Sequence, residues 1–353
     1  MSVLFSAVLL AAQARAETPV AAATRVMIQV EKILASERGQ DARRIAELDK
    51  NAETWGREIA PLGWTAVEPL ASYARDLQRP PKVRLFATVF LGFIRDPAAF
   101  KPLTSILLDK KQDEDVRSAA AQGLATLDAP VEPLRASLCS SLDGPQMPRS
   151  LLDEVLIPLS RLGCADSAPL EAVARSFGPR PEGRNLATVQ KAALALGRSR
   201  GEAAARSLLR LLDYFPARHA ARAAVVASLP HKKAELTGII ATASWPLLRS
   251  ALLSETDDPA SAIVLVRLVS EFGAPAKDVL LPLTSHPDAE VLAETAEALA
   301  RLRCREALPH LEKIAAGAMR DPRFTPKNDR PDPEWLLARI ENAVAALRRI
   351  PAR

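Results

Sequence analysis

The residue types that most often do chemistry are few in this chain, and their spacing does not suit a reaction. The four histidines are far apart, and none is followed by glutamate: His219, His231, His286 and His310. The chain has no His-Glu-x-x-His, Cys-x-x-Cys or Gly-x-Ser-x-Gly motif and no glycine-rich phosphate loop. We therefore predict that the protein is not an enzyme, and we expect no catalytic residue, no metal and no cofactor.

Adjacent carboxylates are the remaining candidates for acid–base catalysis. The two groups, Asp113-Glu114-Asp115 and Asp257-Asp258, fall where helices are predicted to start. Carboxylates at that position accept hydrogen bonds from the free backbone N–H groups of the first turn and favour the positive end of the helix dipole. We predict that these residues cap helices.

The three cysteines, Cys139, Cys164 and Cys304, have a wide, irregular spacing that fits neither a zinc site nor a disulfide framework. Cys139 is predicted near the end of one helix and Cys164 just after the end of the next. In an antiparallel hairpin these positions are at opposite edges, whereas a disulfide needs Cα atoms within about 7 Å. We predict three free thiols, buried as small apolar side chains.

One segment combines residue types that favour protein interfaces. The stretch 319–330 lies in a long connector, contains two prolines and carries one aromatic side chain among cations. Exposed Phe and Arg side chains are frequent interface anchors. The alternative is a solvated loop whose aromatic ring folds back on the last helical hairpin. The candidate partner-binding residues are Arg320, Arg323, Phe324, Lys327 and Arg330.

Composition predicts the elements that carry these residues. Of 353 residues, 48% are apolar and 25% are charged, so the chain is able to fill a core. Aromatics (4%) and glycines (14) are scarce while prolines (28) are abundant, which argues against β-sandwiches, barrels and glycine-loop nucleotide folds. Short helices separated by proline turns are the structure that this composition favours.

A pattern recurs at steps of 36, 35, 34 and 33 residues: an apolar helix that ends in Leu-Gly or an equivalent pair, followed by a turn. Within the helices, apolar residues keep the spacing of a helix that is buried on one face. The best examples of these stripes are Val83, Ala87, Phe90 and Leu91; Val116, Ala120, Leu124 and Leu127; and Val131, Leu134 and Leu138.

This repeat resembles the HEAT and HEAT-like (armadillo-type) family. Asp115-Val116-Arg117, continued by Ala120 and Leu124, is close to the family signature Asp-Val-Arg-x-x-Ala-x-x-x-Leu, and Lys82-Val83-Arg84 starts a second copy. The resemblance implies an all-α fold, a right-handed α-solenoid of antiparallel helical hairpins. It also implies that Arg84 and Arg117 bond to an aspartate such as Asp115 in a structural ladder.

Three segments are predicted. Residues 1–16 resemble a secretory signal peptide, with an apolar run of about nine residues before small-x-small cleavage sites. Residues 17–60 form an amino-terminal helical cap of two helices, 19–37 and 41–59. Residues 61–350 form the HEAT-like repeat solenoid of about seven or eight hairpins, with an extra helix near 231–258 and a long loop over 317–333. We expect an exported protein, periplasmic or secreted, and otherwise a cytoplasmic one, with no transmembrane segment.

The net charge of +5 is spread along the chain, whereas nucleic-acid binders concentrate their cations on one face. We predict a monomeric, non-catalytic scaffold or adaptor that binds protein partners and has no small-molecule substrate. One alternative is a cytoplasmic HEAT-like protein that binds nucleic acid through a basic concave face, as a glycosylase of that family would. The other is a non-catalytic subunit of an enzyme complex.

Overall fold

The computed structural model describes residues 18–36, 42–127, 130–142, 147–239, 245–254, 258–325 and 331–351, so the predicted signal segment 1–16 lies outside the described residues. All regular structure within these ranges is helical, as composition and periodicity predicted. The chain divides into two compact units, one that ends at Pro158 and one that begins at Leu159. We had not predicted this division, which falls inside the stretch 61–350.

The helices of the first unit are α1 Pro19–Ser36, α2 Ala42–Ile59, α3 Val67–Arg75, α4 Pro81–Ile94, α5 Phe100–Leu108, α6 Glu114–Thr126 and α7 Val131–Ser140, and the unit boundary lies within α8 Arg149–Leu162. The helices of the second unit are α9 Ala168–Ser176, α10 Gly183–Arg198, α11 Glu202–Tyr214, α12 Ala220–Ser228, α13 Lys233–Ile239, α14 Trp245–Ser254, α15 Pro259–Ser270, α16 Lys277–Leu280, α17 Ala289–Arg301, α18 Leu308–Gly317 and α19 Pro333–Arg348.

In the first unit, consecutive helices pair and the pairs pack on each other. Helix α3 packs against α4, and α5 packs against α6. The second helices of these pairs, α4 and α6, contact each other, and so do the first helices, α3 and α5. The amino-terminal helices cover the first pair, because α1 contacts α3 and α4, and α2 contacts α4.

The second unit repeats this arrangement. Its pairs are α9 with α10, α11 with α12, α14 with α15 and α18 with α19, while α17 pairs with a three-ten turn, Leu281–Ser285, that follows α16. The second helices contact one another in the order α10, α12, α15, α17 and α19. The extra helix predicted near 231–258 is α13, and it contacts α11.

The predicted apolar stripes form the core, with one exception. All members of the stripes on α4 and α6 are buried, and Leu134 and Leu138 of α7 are buried as well. Val131 is 50% exposed, so its assignment to a stripe was wrong. It is the first residue of α7, directly after Pro130, and it begins the helix without reaching the core.

Gly92 does not end a helix, contrary to the predicted Leu-Gly pattern, since α4 continues to Ile94. A Cβ atom on Gly92 would lie 3.0 Å from the Cα of Gly123 in α6. The glycine therefore allows two second helices to approach closely. The pattern does hold after α8, where Gly163 takes the left-handed conformation with φ +68°.

The predicted arginine–aspartate bond is present at Arg84, with Asp113 and not Asp115, whereas Arg117 donates to the backbone oxygen of Leu107 at 2.9 Å. The Arg84 guanidinium is buried, donates to Asp113 at 2.5 Å and also bonds the side chain of Gln112. Asp113 makes no capping hydrogen bond to α6, so the capping role that we predicted for it was wrong. Asp258 does cap its helix, since its carboxylate accepts from the Ser261 N–H at 3.3 Å.

The prediction of three free thiols was wrong. Cys139 and Cys164 are disulfide-bonded, and Cys304 is a buried free thiol. The prediction assumed an ideal antiparallel hairpin in which the two cysteine positions lie at opposite edges. Burial, followed by the hydrogen bond to Glu306, raises the pKa of the Cys304 thiol to about 11, so this cysteine is protonated at neutral pH.

Candidate functional site

The first part of the long connector is ordered as two short three-ten turns, Ala318–Arg320 and Pro322–Phe324. Asp321 stands between them, and its carboxylate accepts a hydrogen bond of 3.0 Å from the backbone N–H of Arg323. Proline at the first position of the second turn suits a helical start, because its missing N–H would have no partner there. Residues 326–330 lie outside the described residues, and with them the candidates Lys327 and Arg330.

Arg323 is held in place by hydrogen bonds on both sides of its guanidinium group. Its Nε donates to both Asp321 carboxylate oxygens at 3.0 Å, and Nη2 donates to Oδ2 at 2.6 Å. On the other side, Nη1 donates to the backbone oxygen of His286 at 3.0 Å. The Asp321 pKa is lowered by the hydrogen bonds from Arg323, so the ion pair stays formed well into the acidic range.

Phe324 is 9% exposed, and its three-ten turn contacts α19. The structure therefore agrees with the alternative in which the ring folds back on the last hairpin, and not with an exposed aromatic anchor. Burial of the ring fixes the end of the turn that carries Arg323. Arg320, by contrast, is exposed at the end of the first turn.

A cleft of about 860 Å³ opens beside this segment, within the second unit. Its walls are the three-ten turn Leu281–Ser285, helix α18 and the residues around Asp321. The volume lies in the range of about 300–1,000 Å³ that is typical of ligand sites. The residues that line the cleft are Thr284, Ser285, Pro287, His310, Lys313, Ile314, Gly317, Asp321, Pro322 and Arg323.

The hydrogen-bond donors of the cleft are mainly cationic. Thr284 and Ser285 each donate their hydroxyl proton to a carbonyl of the same turn at 2.8 Å, which leaves their oxygens as acceptors. Donation to a ligand therefore falls to Lys313, His310 and Arg323. The arrangement suits a ligand that carries negative charge.

Of the three predicted site residues within the described ranges, Arg320, Arg323 and Phe324, Arg323 alone lines this cleft. Sequence reasoning missed His310 and Lys313 because they belong to a different segment, 10 and 7 residues before Arg320. One signal was present: the two residues stand three apart in α18, so they share one face of that helix. Nothing local indicated that this face meets the connector.

A second charged cluster crosses three helices of the same unit. Glu294 of α17 accepts hydrogen bonds from Arg267 of α15 at 2.8 Å and from Arg339 of α19 at 2.9 Å. Arg339 also bonds Glu297 at 2.6 Å and lies over the Trp335 ring, 4.7 Å from its centroid. Here the arginines are neutralised by carboxylates, so this cluster joins the helices.

Burial by itself raises the pKa of Glu294, which is 4% exposed. The hydrogen bonds and charges of Arg267 and Arg339 outweigh burial, and the pKa lies below its ordinary value. Glu294 is therefore ionised at neutral pH and binds both arginines. Losing that charge would remove the acceptor that Arg267 and Arg339 share.

Within the described ranges, no group of three or more His, Cys, Asp or Glu side chains is placed to hold a metal ion. In the same ranges, every helix is too short or too polar to span a membrane.

No protein-family model matches the chain, and no curated protein matches it. Among solved structures, the chain is similar to a crystal structure of an engineered protein from the Northeast Structural Genomics Consortium, with 18% sequence identity and a TM-score of 0.45. The similarity covers 90% of this chain and 88% of the engineered one.

Proposed function

We propose that the protein is a non-catalytic, protein-binding scaffold of HEAT-like hairpins, arranged as a right-handed α-solenoid. The observation that carries this proposal is the repeated packing within each unit, where second helices contact second helices in sequence order. Such stacking covers the apolar stripe of each hairpin with the next and leaves long outer faces for partners. The cleft beside α18 offers a recess of about 860 Å³ for a partner.

We further propose that the protein works outside the cytoplasm. The disulfide-bonded state of Cys139 and Cys164 supports export, because disulfides persist in oxidising compartments and are rare in the cytosol. The signal-like sequence of residues 1–16 points the same way.

Nucleic-acid binding is the less favoured alternative. Arg267 and Arg339, on the second helices of their hairpins, are paired with glutamates, whereas a phosphate-binding face needs unpaired cations.

The function is tested by cross-linking in the native host. The full chain is cross-linked to its neighbours with a cleavable amine-reactive reagent and then purified. The cross-linked partner is identified, and it is then produced separately. Calorimetry of the two purified proteins should give saturable binding at a fixed stoichiometry. Neither protein should be chemically modified by the other. Turnover of a small molecule by the protein alone, or salt-dependent binding of duplex DNA without any protein partner, would contradict the proposal.

A further inference from the structure

The cleft beside α18 carries a net positive charge that its own carboxylate does not cancel. Lys313 and Arg323 are its cations, and His310 lines the same cleft. The one carboxylate that lines it, Asp321, is already ion-paired with Arg323 at 2.6 Å.

Arg323 is oriented before any ligand arrives. A guanidinium has five N–H groups, and three of those in Arg323 are used by Asp321 and the His286 carbonyl. The other two, one on each Nη, have no partner among the described residues. Because the side chain is already fixed, a bound carboxylate would not have to order it, which lowers the entropic cost of binding.

The remaining walls suit a polypeptide better than a small anion. Ile314, Pro287 and Pro322 are apolar and line the same cleft. A volume of about 860 Å³ is far larger than a single phosphate needs and accommodates several residues of an extended chain. The acceptor oxygens of Thr284 and Ser285 can receive backbone N–H groups of such a chain.

We propose that this cleft binds an acidic, extended segment of the protein partner, with Lys313 and Arg323 receiving its carboxylates. The inference rests on the proposed scaffold function and specifies the chemistry of the partner. Lys313 supplies a point charge that tolerates several geometries, while the planar fork of Arg323 selects a carboxylate.

The test is fluorescence anisotropy of the full-length protein with a fluorescein-labelled octamer of glutamate at low salt. Octamers of lysine and of alternating glycine and serine serve as reference probes. The glutamate octamer should bind, and Lys313→Glu should weaken its binding at least tenfold. Lys101→Glu, on an exposed position of α5, makes the same change in net charge and should weaken binding less than twofold. Circular dichroism checks that both variants remain folded.

Absence of glutamate-octamer binding by the unaltered protein, or equal weakening by Lys313→Glu and Lys101→Glu, would overturn the proposal. The outcome is separable from that of the cross-linking experiment. If the partner binds the Lys313→Glu variant as tightly as the unaltered protein, the proposed role of the cleft would be contradicted, while the scaffold function would remain supported. If the glutamate octamer binds but cross-linking finds no protein partner in the host, the scaffold function would be contradicted and the anion-binding cleft would remain supported.

Discussion

The Nε of Arg117 donates a 2.9 Å hydrogen bond to the backbone oxygen of Leu107, ten residues earlier in the chain. Leu107 lies in the last turn of α5, where carbonyl groups have no partner within the helix. The buried side chain of Arg117 thus ties the start of the second helix to the end of the first. Arg222 repeats the relationship in the second unit, where its Nη1 donates to the Leu212 oxygen at 2.7 Å.

Replacing Arg117 with alanine should lower the free energy of unfolding by about 1.5–3 kcal/mol, the usual value of a hydrogen bond to a charged group. The change removes the donor and leaves the Leu107 carbonyl buried without it. Urea denaturation measures the loss. Lys101→Ala, on an exposed position of the same hairpin, should change stability by less than about 0.5 kcal/mol. Equal effects of the two substitutions would mean that the bond does not stabilise the hairpin.

Gly163 should not tolerate a side chain. Its φ is +68°, and a Cβ there would lie 2.3 Å from the Ser199 backbone nitrogen. Gly163→Ala should cost about 3 kcal/mol or more, from the left-handed conformation (about 1–2 kcal/mol) and from overpacking (about 1–3 kcal/mol). Gly178 has φ +76° but open space around it, so Gly178→Ala should cost only the conformational part. A smaller loss for Gly163→Ala than for Gly178→Ala in urea would refute this reading.

Replacing Arg303 with glycine should stabilise the protein. It follows α17 with φ +55°, and the Cys304 N–H donates to the Leu299 oxygen at 2.9 Å, as in a Schellman motif. Glycine reaches this conformation without strain, so Arg303→Gly should raise stability by about 0.5–1 kcal/mol. Arg301→Gly, within the same helix, should instead lower it by about 1 kcal/mol. The pair of urea midpoints should therefore move in opposite directions, and a shared direction would contradict the motif.

Protonation of Glu294 should lower the stability of the folded protein in acid. Its pKa is lower in the folded protein than the ordinary value of 4.5, so folding favours the ionised form. The contribution is fully present above pH 4.5 and is lost as pH falls through the folded-state pKa. Glu294→Gln should lower stability at pH 7 and flatten its decline in the acidic range. Glu341→Gln, on an exposed position of α19, should leave the decline unchanged. Parallel pH profiles for Glu294→Gln and the unaltered protein would disprove the assignment.

Thiol counting tests the cysteine assignment. Denatured protein without reductant should release one equivalent of reactive thiol, from Cys304, and three after reduction. Reduction should also destabilise the folded protein by about 2–5 kcal/mol, the usual effect of losing a native disulfide. Three reactive thiols before reduction would show that Cys139 and Cys164 are not oxidised and would remove the main support for export.

Periodicity predicted the helices well, because burial on one face leaves a repeating signal in the sequence. The apolar stripes of α4 and α6 are buried in the core, and Arg84 bonds an aspartate as the resemblance implied, whereas Arg117 bonds a backbone carbonyl. Arg222 escaped notice because the residues before it are alanines and not the Asp-Val of the family signature. A search for arginines ten residues after a leucine near the end of a helix would have found Arg222.

The cleft was not predictable in the same way. Its donors come from α18 and from the connector, and their meeting depends on Phe324 packing against α19. The sequence was compatible with either orientation of the Phe324 ring, since a proline-rich loop allows the ring to point outward or inward. The oxidised state of Cys139 and Cys164 was missed because the prediction assumed an ideal antiparallel hairpin, which would place the two cysteines at opposite edges.

The right-handed solenoid that we propose predicts an elongated protein, and small-angle X-ray scattering tests that prediction directly. A compact globule of 353 residues would have a radius of gyration of about 20 Å. About eight hairpins stacked at about 10 Å each should instead give pair distances that extend beyond about 80 Å and a clearly larger radius of gyration. A radius near about 20 Å with a symmetric distance distribution would contradict the solenoid.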